Sequence, residues 1–501
     1  MSIQISGKTG ESVASDESFD EAGASEAPDN SFVPGKIGGN ILSLGTGEIL
    51  ARVAAFVGTT FAARQLGPEQ FGIVGFALAI FSYFSIAVSG GFNDIGSREV
   101  ARRPREASSI AASVIAVRLV IAFLALIAIA LTAWFLNKPP QVKLILYLTG
   151  LLFFTLAFDV SWVYKGLERN RLVAVALIAS QIVYASFILL TVRHPDDVEF
   201  VPLAQFTGEI LAAVILLGPL LYLGKIEFDL REGFRLLRSS GFWAVSRLMR
   251  ALMYGFDVVL IGLLLGEGEV GLYTAPYRIC FLLVAVAVAI HASYLPSIIR
   301  AAGGENANTE TGKMAERSLY FAAAVAAPLV VGGIIIARPL LVAVFGNDYA
   351  AGSGAFQFLI LSIGFVFLFG AVHNIFLAVN RLKTEMLIFA AAATVNIALN
   401  IWIVPRYGIT GAGMVTAFAE GLTLVAGLIM VNRIGVPLSI RPIWRPILAS
   451  AVMGASLIAL GPNRVLVWYL SIGCISYLLA LVVLRGIPRD ALPHFQLPIF
   501  H

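Results

Sequence analysis

Four polar side chains lie at helical spacing inside one long apolar stretch of the sequence. The stretch 242–266 holds Arg247, Arg250, Tyr254 and Asp257, at successive separations of three, four and three residues. These separations place the four side chains on one face of a helix. A charge at the centre of a membrane costs about 3 kcal/mol on insertion scales, so this face is expected to meet protein or water. Because guanidinium groups bind phosphate and carboxylate in a bidentate manner, the chemistry indicated is anion binding.

Two interpretations of these charges remain open from the sequence. In one, Arg250 forms an internal salt bridge with Asp257 or with another helix and stabilises the helix bundle. In the other, arginines from several helices line a hydrated cavity, and the first predicted span contributes an i, i+4 pair of opposite charge. The cavity interpretation assigns anion binding to Arg52, Arg247, Arg250 and Arg278, and an orienting role to Glu48, Tyr254, Asp257 and Tyr277.

Other ionisable residues in apolar stretches have different predicted roles. Arg118 and Asp159 lie toward the same ends of adjacent antiparallel spans, and we predict that they form a structural pair. Glu420, near the middle of its span, is the candidate for coupling to H⁺ or Na⁺. Glu209, His291 and His373 are predicted to be helix-packing hydrogen-bonding groups, and no other cofactor or metal is expected.

The composition predicts an all-α polytopic membrane protein. The 501 residues are 58% hydrophobic and 13% charged, whereas soluble domains carry about 25% charged residues. A helix needs about 20 apolar residues to cross a bilayer, and fourteen runs meet that requirement. They cover approximately residues 41–64, 71–93, 110–136, 142–164, 171–192, 201–224, 241–266, 270–297, 316–337, 354–380, 384–404, 409–432, 443–461 and 466–485.

Basic residues are distributed unevenly between the two sets of loops. Of the 35 lysines and arginines, 23 lie in one set of loops and the termini, 7 in the opposite loops and 5 within spans. Cytoplasmic loops carry the excess of basic residues. The distribution therefore predicts a multi-pass membrane protein with both termini in the cytoplasm.

An internal repeat divides the predicted spans into two halves. The segments ARQLGPEQFGIVGFALAI and GLLLGEGEVGLYTAPYRI each end one span, turn and begin the next. Gly67 and Gly72 match Gly266 and Gly271 at a constant offset of 199 residues. Two parallel six-helix halves around a central cavity are a common transporter design, and two C-terminal helices follow them here.

These features give a predicted domain organisation. The N-terminal segment is acidic and poor in large apolar side chains, which is typical of disorder. The segment between the halves alternates apolar and basic residues, which fits either an interfacial amphipathic helix or a charged cytoplasmic loop. The predicted boundaries are 1–36 for the tail, 37–224 for the first half, 225–240 for the linker, 241–432 for the second half and 433–501 for the last two helices with a short cytoplasmic tail.

The sequence contains none of the common enzyme signatures. It lacks a P-loop, an HExxH zinc motif, a nucleophile elbow and paired cysteine or histidine ligands, so hydrolysis of ATP by this chain is not expected. The basic loops follow membrane topology and do not require a nucleic-acid partner.

Several segments of the sequence, in order, resemble polysaccharide-repeat flippases of the MOP superfamily (the Wzx-type, polysaccharide-transporter branch). The similarity covers about residues 40–435. It includes an arginine in the first span, an ARQLGPEQFG turn, a GFNDIG segment and the basic R-E-x-A-R loop of that family, here REVAR. The matching segments are Ala63–Gly72, Gly91–Gly96, Arg98–Arg102, Val270–Ile279, Phe345–Ser362 and Arg406–Glu420.

The resemblance implies a lipid-linked oligosaccharide flippase and no enzymatic activity. Members of this family move an undecaprenyl-diphosphate-linked repeat unit from the cytoplasmic to the periplasmic leaflet by alternating access. The resemblance implies that the arginine-lined cavity binds the diphosphate and sugar, within capsule, O-antigen or exopolysaccharide synthesis. Membrane lipids surround such a protein, and the polysaccharide polymerase and export machinery are the protein partners that it implies.

Three alternatives remain at this point. A lipid II flippase shares the fold and carries a similar anionic substrate. A multidrug exporter of the related MATE branch shares the twelve-span plan but needs acidic groups that attract cations. A membrane subunit that scaffolds glycan synthesis would carry no substrate at all.

Overall fold

The computed structural model describes residues 34–222, 227–461 and 464–486. Side chains are described from Gly47 onward, except those of Asp94, Phe242, Trp243, Ser246, Met253 and Tyr254. The chain divides into the units Met1–Gly39 and Asn40–His501, and the architecture given below is that of the second. Residues 1–33 of the predicted acidic tail lie outside the described residues.

The described part of the chain is helical throughout and contains no strand, which confirms the all-α class. Backbone groups in a bilayer must find hydrogen bonds within their own segment, and helices meet that requirement. Short 3₁₀ helices at Pro104–Glu106, Pro195–Glu199, Asn347–Gly352 and Arg441–Ile443 join the longer elements. The α-helices are α1 (Pro34–Ser89), α2 (Phe92–Arg102), α3 (Ala107–Phe135), α4 (Pro140–Gly150), α5 (Leu152–Ala157), α6 (Ser161–Gly166), α7 (Asn170–Thr191), α8 (Phe200–Leu220), α9 (Leu230–Ser239), α10 (Gly241–Leu264), α11 (Glu267–Ala302), α12 (Ala307–Ile335), α13 (Ala337–Phe345), α14 (Ser353–Ala378), α15 (Leu382–Arg433), α16 (Trp444–Ala459) and α17 (Leu466–Val483).

Eleven helical segments of the described residues are long and apolar enough to cross a membrane. Two of them, Gly47–Ser89 and Leu382–Arg433, each cover two predicted spans. In each, a glycine with positive φ interrupts the helix: Gly67 has φ 72° and Gly408 has φ 59°. The predicted seventh span falls on α10. The apolar segment of this helix, Gly255–Leu264, is shorter than the eleven segments that could cross a membrane. The polytopic architecture is thus confirmed, while the number fourteen stays a prediction.

The two turns of the internal repeat pack directly against each other. A Cβ atom on Gly72 would overlap the backbone carbonyl oxygen of Glu267, and one on Gly271 would overlap that of Pro68. Pro68 and Glu267 are themselves 199 residues apart, so the contact is reciprocal. This reciprocity is the arrangement that a pseudo-two-fold axis between the halves requires, and only glycine permits so close a backbone approach.

Polar contacts join the halves at the same end of the bundle. Lys138, before α4, forms an ion pair of 2.8 Å with Glu267 and donates a hydrogen bond of 2.6 Å to the carbonyl oxygen of Gly262. The Arg64 side chain donates to the carbonyl oxygen of Val344 at 2.7 Å. The Tyr349 hydroxyl donates to the carbonyl oxygen of Ala63 at 2.8 Å. The predicted topology places this closed end toward the outside of the cell.

The segment predicted as a linker contains the helix α9. Asp229 caps it by accepting a hydrogen bond from the Arg231 amide at 2.9 Å, and its buried face packs on α3 through Leu236. Arg103 binds Glu232 of this helix at 2.6 Å. The hydrogen bond that Arg103 donates to Glu232 raises the pKa of Arg103 above its usual value. The exposed apolar side chains, including Phe234, lie beside arginines, as the interfacial-helix interpretation predicts.

Candidate functional site

A cavity of about 370 Å³ lies between the two halves. Its N-terminal wall is the second part of α1, and its C-terminal walls are α10 and α11. Small residues such as Gly75 and Gly255 leave the space into which Arg278 projects. Within the described residues, the Arg278 guanidinium makes no hydrogen bond or ion pair. A cation in such a position is available to an anionic ligand.

A second cavity of about 370 Å³ lies inside the C-terminal half, between α10, α11, α14 and α15. Its walls are mostly apolar, and Tyr277 and Phe281 line both cavities, so the two adjoin. An amphipathic molecule with an anionic group would match walls of this character. The ionisable side chains of this cavity are Arg250, His291, His373, Glu385 and Glu420.

Arg250 is held by an aromatic ring instead of a carboxylate. Its guanidinium carbon lies 4.7 Å from the centroid of the Phe389 ring, which is a cation–π distance. No hydrogen bond or ion pair joins Arg250 to another described residue, so the salt bridge between Arg250 and Asp257 is not formed. The stacked guanidinium lines the C-terminal cavity.

Asp257 is buried away from the arginines that it was expected to orient. Its side chain is 0% exposed. It accepts hydrogen bonds from the Tyr273 hydroxyl at 2.5 Å, the Thr416 hydroxyl at 3.2 Å and the Val258 amide at 2.8 Å. The carboxylate therefore connects α10, α11 and α15. Sequence reasoning missed Tyr273 and Thr416, because neither spacing nor residue type shows a contact across 159 residues.

The remaining predicted cavity residues have separate positions. Glu48 and Arg52 form their expected pair at 2.7 Å on α1, but neither lines the two cavities described above. The Arg247 guanidinium approaches the carbonyl oxygen of Gly90 at 3.4 Å. The Tyr254 side chain lies outside the described residues. The structure thus places Arg278 and Arg250 at adjoining cavities, while Arg52 and Arg247 lie apart from both.

Arg118 and Asp159 are in contact, but through a backbone group. Arg118 is 1% exposed, and its guanidinium donates to the carbonyl oxygen of Asp159 at 2.9 Å and to the Asn93 side chain at 3.0 Å. It also lies 5.0 Å from the centroid of the Phe92 ring. The Asp159 carboxylate accepts a hydrogen bond from the Ser161 amide at 2.9 Å. Arg118 thus joins three backbone segments of the N-terminal half.

Replacing Arg118 with leucine is expected to lower the stability of the folded protein. The change leaves buried carbonyl and amide oxygens without donors, at a cost of about 3 kcal/mol. Thermal unfolding in detergent should show a clear decrease in Tm, with transport per folded molecule unchanged. The control is Arg102→Leu, whose side chain is largely exposed. An unchanged Tm for Arg118→Leu would contradict the structural role.

Glu420 and the histidines cluster in the C-terminal cavity. Glu420 is 2% exposed and lines that cavity, as a coupling group would have to. Both His291 ring nitrogens are engaged, with the Ser318 hydroxyl at 2.9 Å and the carbonyl oxygen of Phe367 at 2.7 Å. His373 contacts Glu385 at 2.6 Å. The sequence prediction did not include Glu385. Its position across a short loop from His373 could have indicated the contact.

Glu209 has a packing role in the N-terminal half. It accepts hydrogen bonds from the Gln205 side chain at 2.7 Å and from the Thr155 hydroxyl. Among the described residues, no group of three or more acidic, histidine or cysteine side chains is arranged to hold a metal ion. The ionisable side chains at the two cavities are those of arginine, histidine and glutamate together with Tyr277 and Cys280.

Comparison with known proteins gives a family and several relatives. The family described as "Polysaccharide biosynthesis protein" matches residues 37–302. A putative O-antigen transporter of Escherichia coli strain K12 is 26% identical over 222 residues, 42% of this chain and 52% of that protein. The match thus spans about half the length of that relative. A putative O-antigen transporter of Shigella flexneri is 23% identical over 395 residues, 74% of this chain and 91% of that protein. The probable flippase AglR of Haloferax volcanii is 25% identical over 226 residues, 44% of this chain and 47% of that protein.

Solved structures share the fold. The lipid II flippase MurJ in an inward closed conformation aligns with a TM-score of 0.75 at 15% identity, and covers 89% of this chain and 99% of that one. An inward-facing multidrug resistance MATE family transporter of the MOP superfamily aligns with a TM-score of 0.61 at 14% identity, and covers 76% and 94% of the two chains. At these identities the alignments show the fold of the MOP superfamily and nothing of the substrate.

Proposed function

The chain belongs to the polysaccharide biosynthesis protein family, and we propose that it carries a polyprenyl-diphosphate-linked oligosaccharide across the membrane. The family recognised from the sequence is thereby confirmed, and the chain is a multi-pass membrane protein. In this proposal the substrate is an undecaprenyl-linked repeat unit. It moves from the cytoplasmic to the periplasmic leaflet of the inner membrane by alternating access, and both termini of the protein are cytoplasmic.

One observation carries the proposal: the cavities present two arginines that lack a carboxylate partner within the described residues. Arg278 projects into the space between the halves, and Arg250 stacks on Phe389. A guanidinium in a membrane protein is expensive without a counter-charge. A diphosphate supplies that counter-charge and accepts bidentate hydrogen bonds. The diphosphate is also the group of such a lipid that hydrocarbon excludes most strongly.

The apolar walls of the C-terminal cavity can accommodate the lipid part of the proposed substrate. Residues such as Val284, Val288, Ile363 and Val366 face the same space as Arg250. They can pack against the isoprene units next to the phosphate while the rest of the polyprenyl chain stays in lipid. A cation exporter would instead need carboxylates directed into the space between the halves, and Asp257 is fully buried by its own hydrogen bonds.

The names of the relatives support transport of a lipid-linked glycan. Three of them are described as an O-antigen transporter or a flippase. A lipid II flippase remains the second candidate, because a diphosphate lipid is the shared chemistry and the MurJ fold is similar. A polymerase and an export complex would follow the transporter in the pathway.

Deletion of the gene in the native host tests the proposed function. We expect lipid-linked oligosaccharide to accumulate on the cytoplasmic leaflet, and the surface polysaccharide to disappear, while peptidoglycan synthesis continues. Complementation with the wild-type gene should reverse both effects. Loss of peptidoglycan synthesis would instead identify a lipid II flippase. Normal surface polysaccharide without accumulation would contradict transport of such a glycan.

A further inference from the structure

His373 and Glu385 form a contact that the proposed transport function leaves unused. A nitrogen of the His373 ring lies 2.6 Å from a carboxylate oxygen of Glu385. The Glu385 side chain is 6% exposed, whereas that of His373 is 39% exposed and faces the C-terminal cavity. The pair therefore combines a buried carboxylate with an imidazole that solvent and ligand can reach.

From this geometry we propose that the His373–Glu385 pair is a proton-binding site, and that proton and diphosphate lipid bind to the C-terminal cavity cooperatively. The inference rests on the proposed function, since it concerns the same cavity. The imidazole is the one side chain whose ordinary titration falls in the neutral range. Glu385 accepts the hydrogen bond of the protonated ring and stabilises its charge, as paired carboxylates do.

The second histidine of the cavity is unsuited to this role. His291 is buried, and both of its ring nitrogens are already engaged with Ser318 and with the carbonyl oxygen of Phe367. The carbonyl oxygen of Phe367 can only accept, so the other nitrogen of the neutral ring accepts from the Ser318 hydroxyl, and protonation would require that buried hydroxyl to rotate and become an acceptor. His373 has one engaged nitrogen and an accessible ring, which is the arrangement that reversible proton exchange needs.

The charges around the pair set the direction of the coupling. Arg250 lines the same cavity as His373, so protonation of His373 adds a second positive group to the cavity wall. The added positive charge makes the cavity attract an anion more strongly when His373 is protonated. By linkage, binding of the anion must favour protonation by the same factor. Other ionisable groups lie on the helices around the pair. They include Arg247 on α10, His291 on α11, Glu316 on α12, and Arg381, Lys383 and Glu420 at or on α15. Glu316 accepts a hydrogen bond from the Ser439 amide.

Binding-linked proton uptake tests the inference. Farnesyl diphosphate, a short polyprenyl diphosphate, is titrated into the purified full-length protein in detergent, in two buffers of different ionisation enthalpy, between about pH 5 and 8. Wild type should take up more protons on binding than His373→Gln does. Its affinity should rise as the pH falls, by up to about tenfold per pH unit, the limit for one linked proton. Proton uptake by farnesyl diphosphate itself is the same with each protein. The difference in uptake between wild type and His373→Gln therefore measures the protonation of the His373–Glu385 pair.

Two variants complete the experiment. His194→Gln removes an exposed histidine outside both cavities and should match wild type. Glu385→Gln keeps the imidazole but removes the carboxylate that contacts it, so the proton uptake on binding should decrease. Equal uptake by wild type and His373→Gln would overturn the inference while leaving the proposed function intact. Absence of farnesyl diphosphate binding by wild type would contradict the proposed function and this inference together.

Discussion

Replacing Gly72 or Gly271 with leucine is expected to open the end of the bundle at which the two halves meet. A Cβ atom at either position overlaps a backbone carbonyl oxygen of the other half, and backbone cannot move aside as a flexible side chain can. Overpacking of this kind costs about 1–3 kcal/mol. That cost corresponds to a shift of about 5- to 150-fold in the equilibrium between closed and open states. Leucine favours helix, so a local loss of helix propensity does not explain the effect.

Labelling of a cavity cysteine measures this opening. Thr274→Cys, in a Cys474→Ser background, places a thiol on the wall of the cavity between the halves. An impermeant maleimide added from outside should label it faster in the Gly72→Leu and Gly271→Leu variants. Gly268→Ala is the matched control, because a Cβ there meets no atom within 4 Å. Unchanged labelling in both leucine variants would show that the glycine contact does not keep this end closed.

Replacing Arg250 with alanine is expected to weaken binding of a polyprenyl diphosphate by about 10- to 100-fold. Hydrogen bonds to charged groups contribute about 1.5–3 kcal/mol. Arg250 forms no ion pair with a described carboxylate, so its removal breaks no salt bridge among the described residues. Arg250→Lys should recover part of the affinity, since lysine keeps the charge but loses the bidentate geometry and the stacking on Phe389. Equilibrium binding of farnesyl diphosphate to the folded variants measures the effect.

The control for this prediction is another stacked arginine. Arg406 lies 4.6 Å from the centroid of the Trp402 ring, near the kink in the middle of α15, and it does not line the cavity. Arg406→Ala therefore removes the same type of side chain and the same type of contact, and should leave binding unchanged. Equal affinities for wild type and Arg250→Ala would exclude Arg250 from the binding site.

The sequence was sufficient to predict the features that depend on local pattern. Apolar length located the helices, and the constant offset between the paired glycines located the repeat. The same offset relates Pro68 to Glu267, but the reciprocal contact between the two turns was seen only in the structure. The kinks at Gly67 and Gly408 follow from glycine next to or near a proline in a helix.

The site was less predictable because side-chain partners depend on packing between distant segments. Arg250 and Asp257 share a helix and carry opposite charges, yet one stacks on Phe389 and the other binds Tyr273 and Thr416. Helical spacing indicates which residues lie on one face, and it does not show the rotation of that helix against its neighbours. For the same reason, helical spacing could not show that Arg250 and Arg278 line the cavities while Arg52 and Arg247 do not.

The most direct test of the central claim is a measurement of sidedness in proteoliposomes. An undecaprenyl-diphosphate oligosaccharide is placed in vesicles that contain the purified protein, and an impermeant glycosidase reports the sugar that reaches the opposite leaflet. We predict rapid transport by wild type, and loss of transport in folded Arg250→Ala and Arg278→Ala variants. Transport by both variants at the wild-type rate, or no transport by wild type, would contradict an arginine-lined route for the diphosphate.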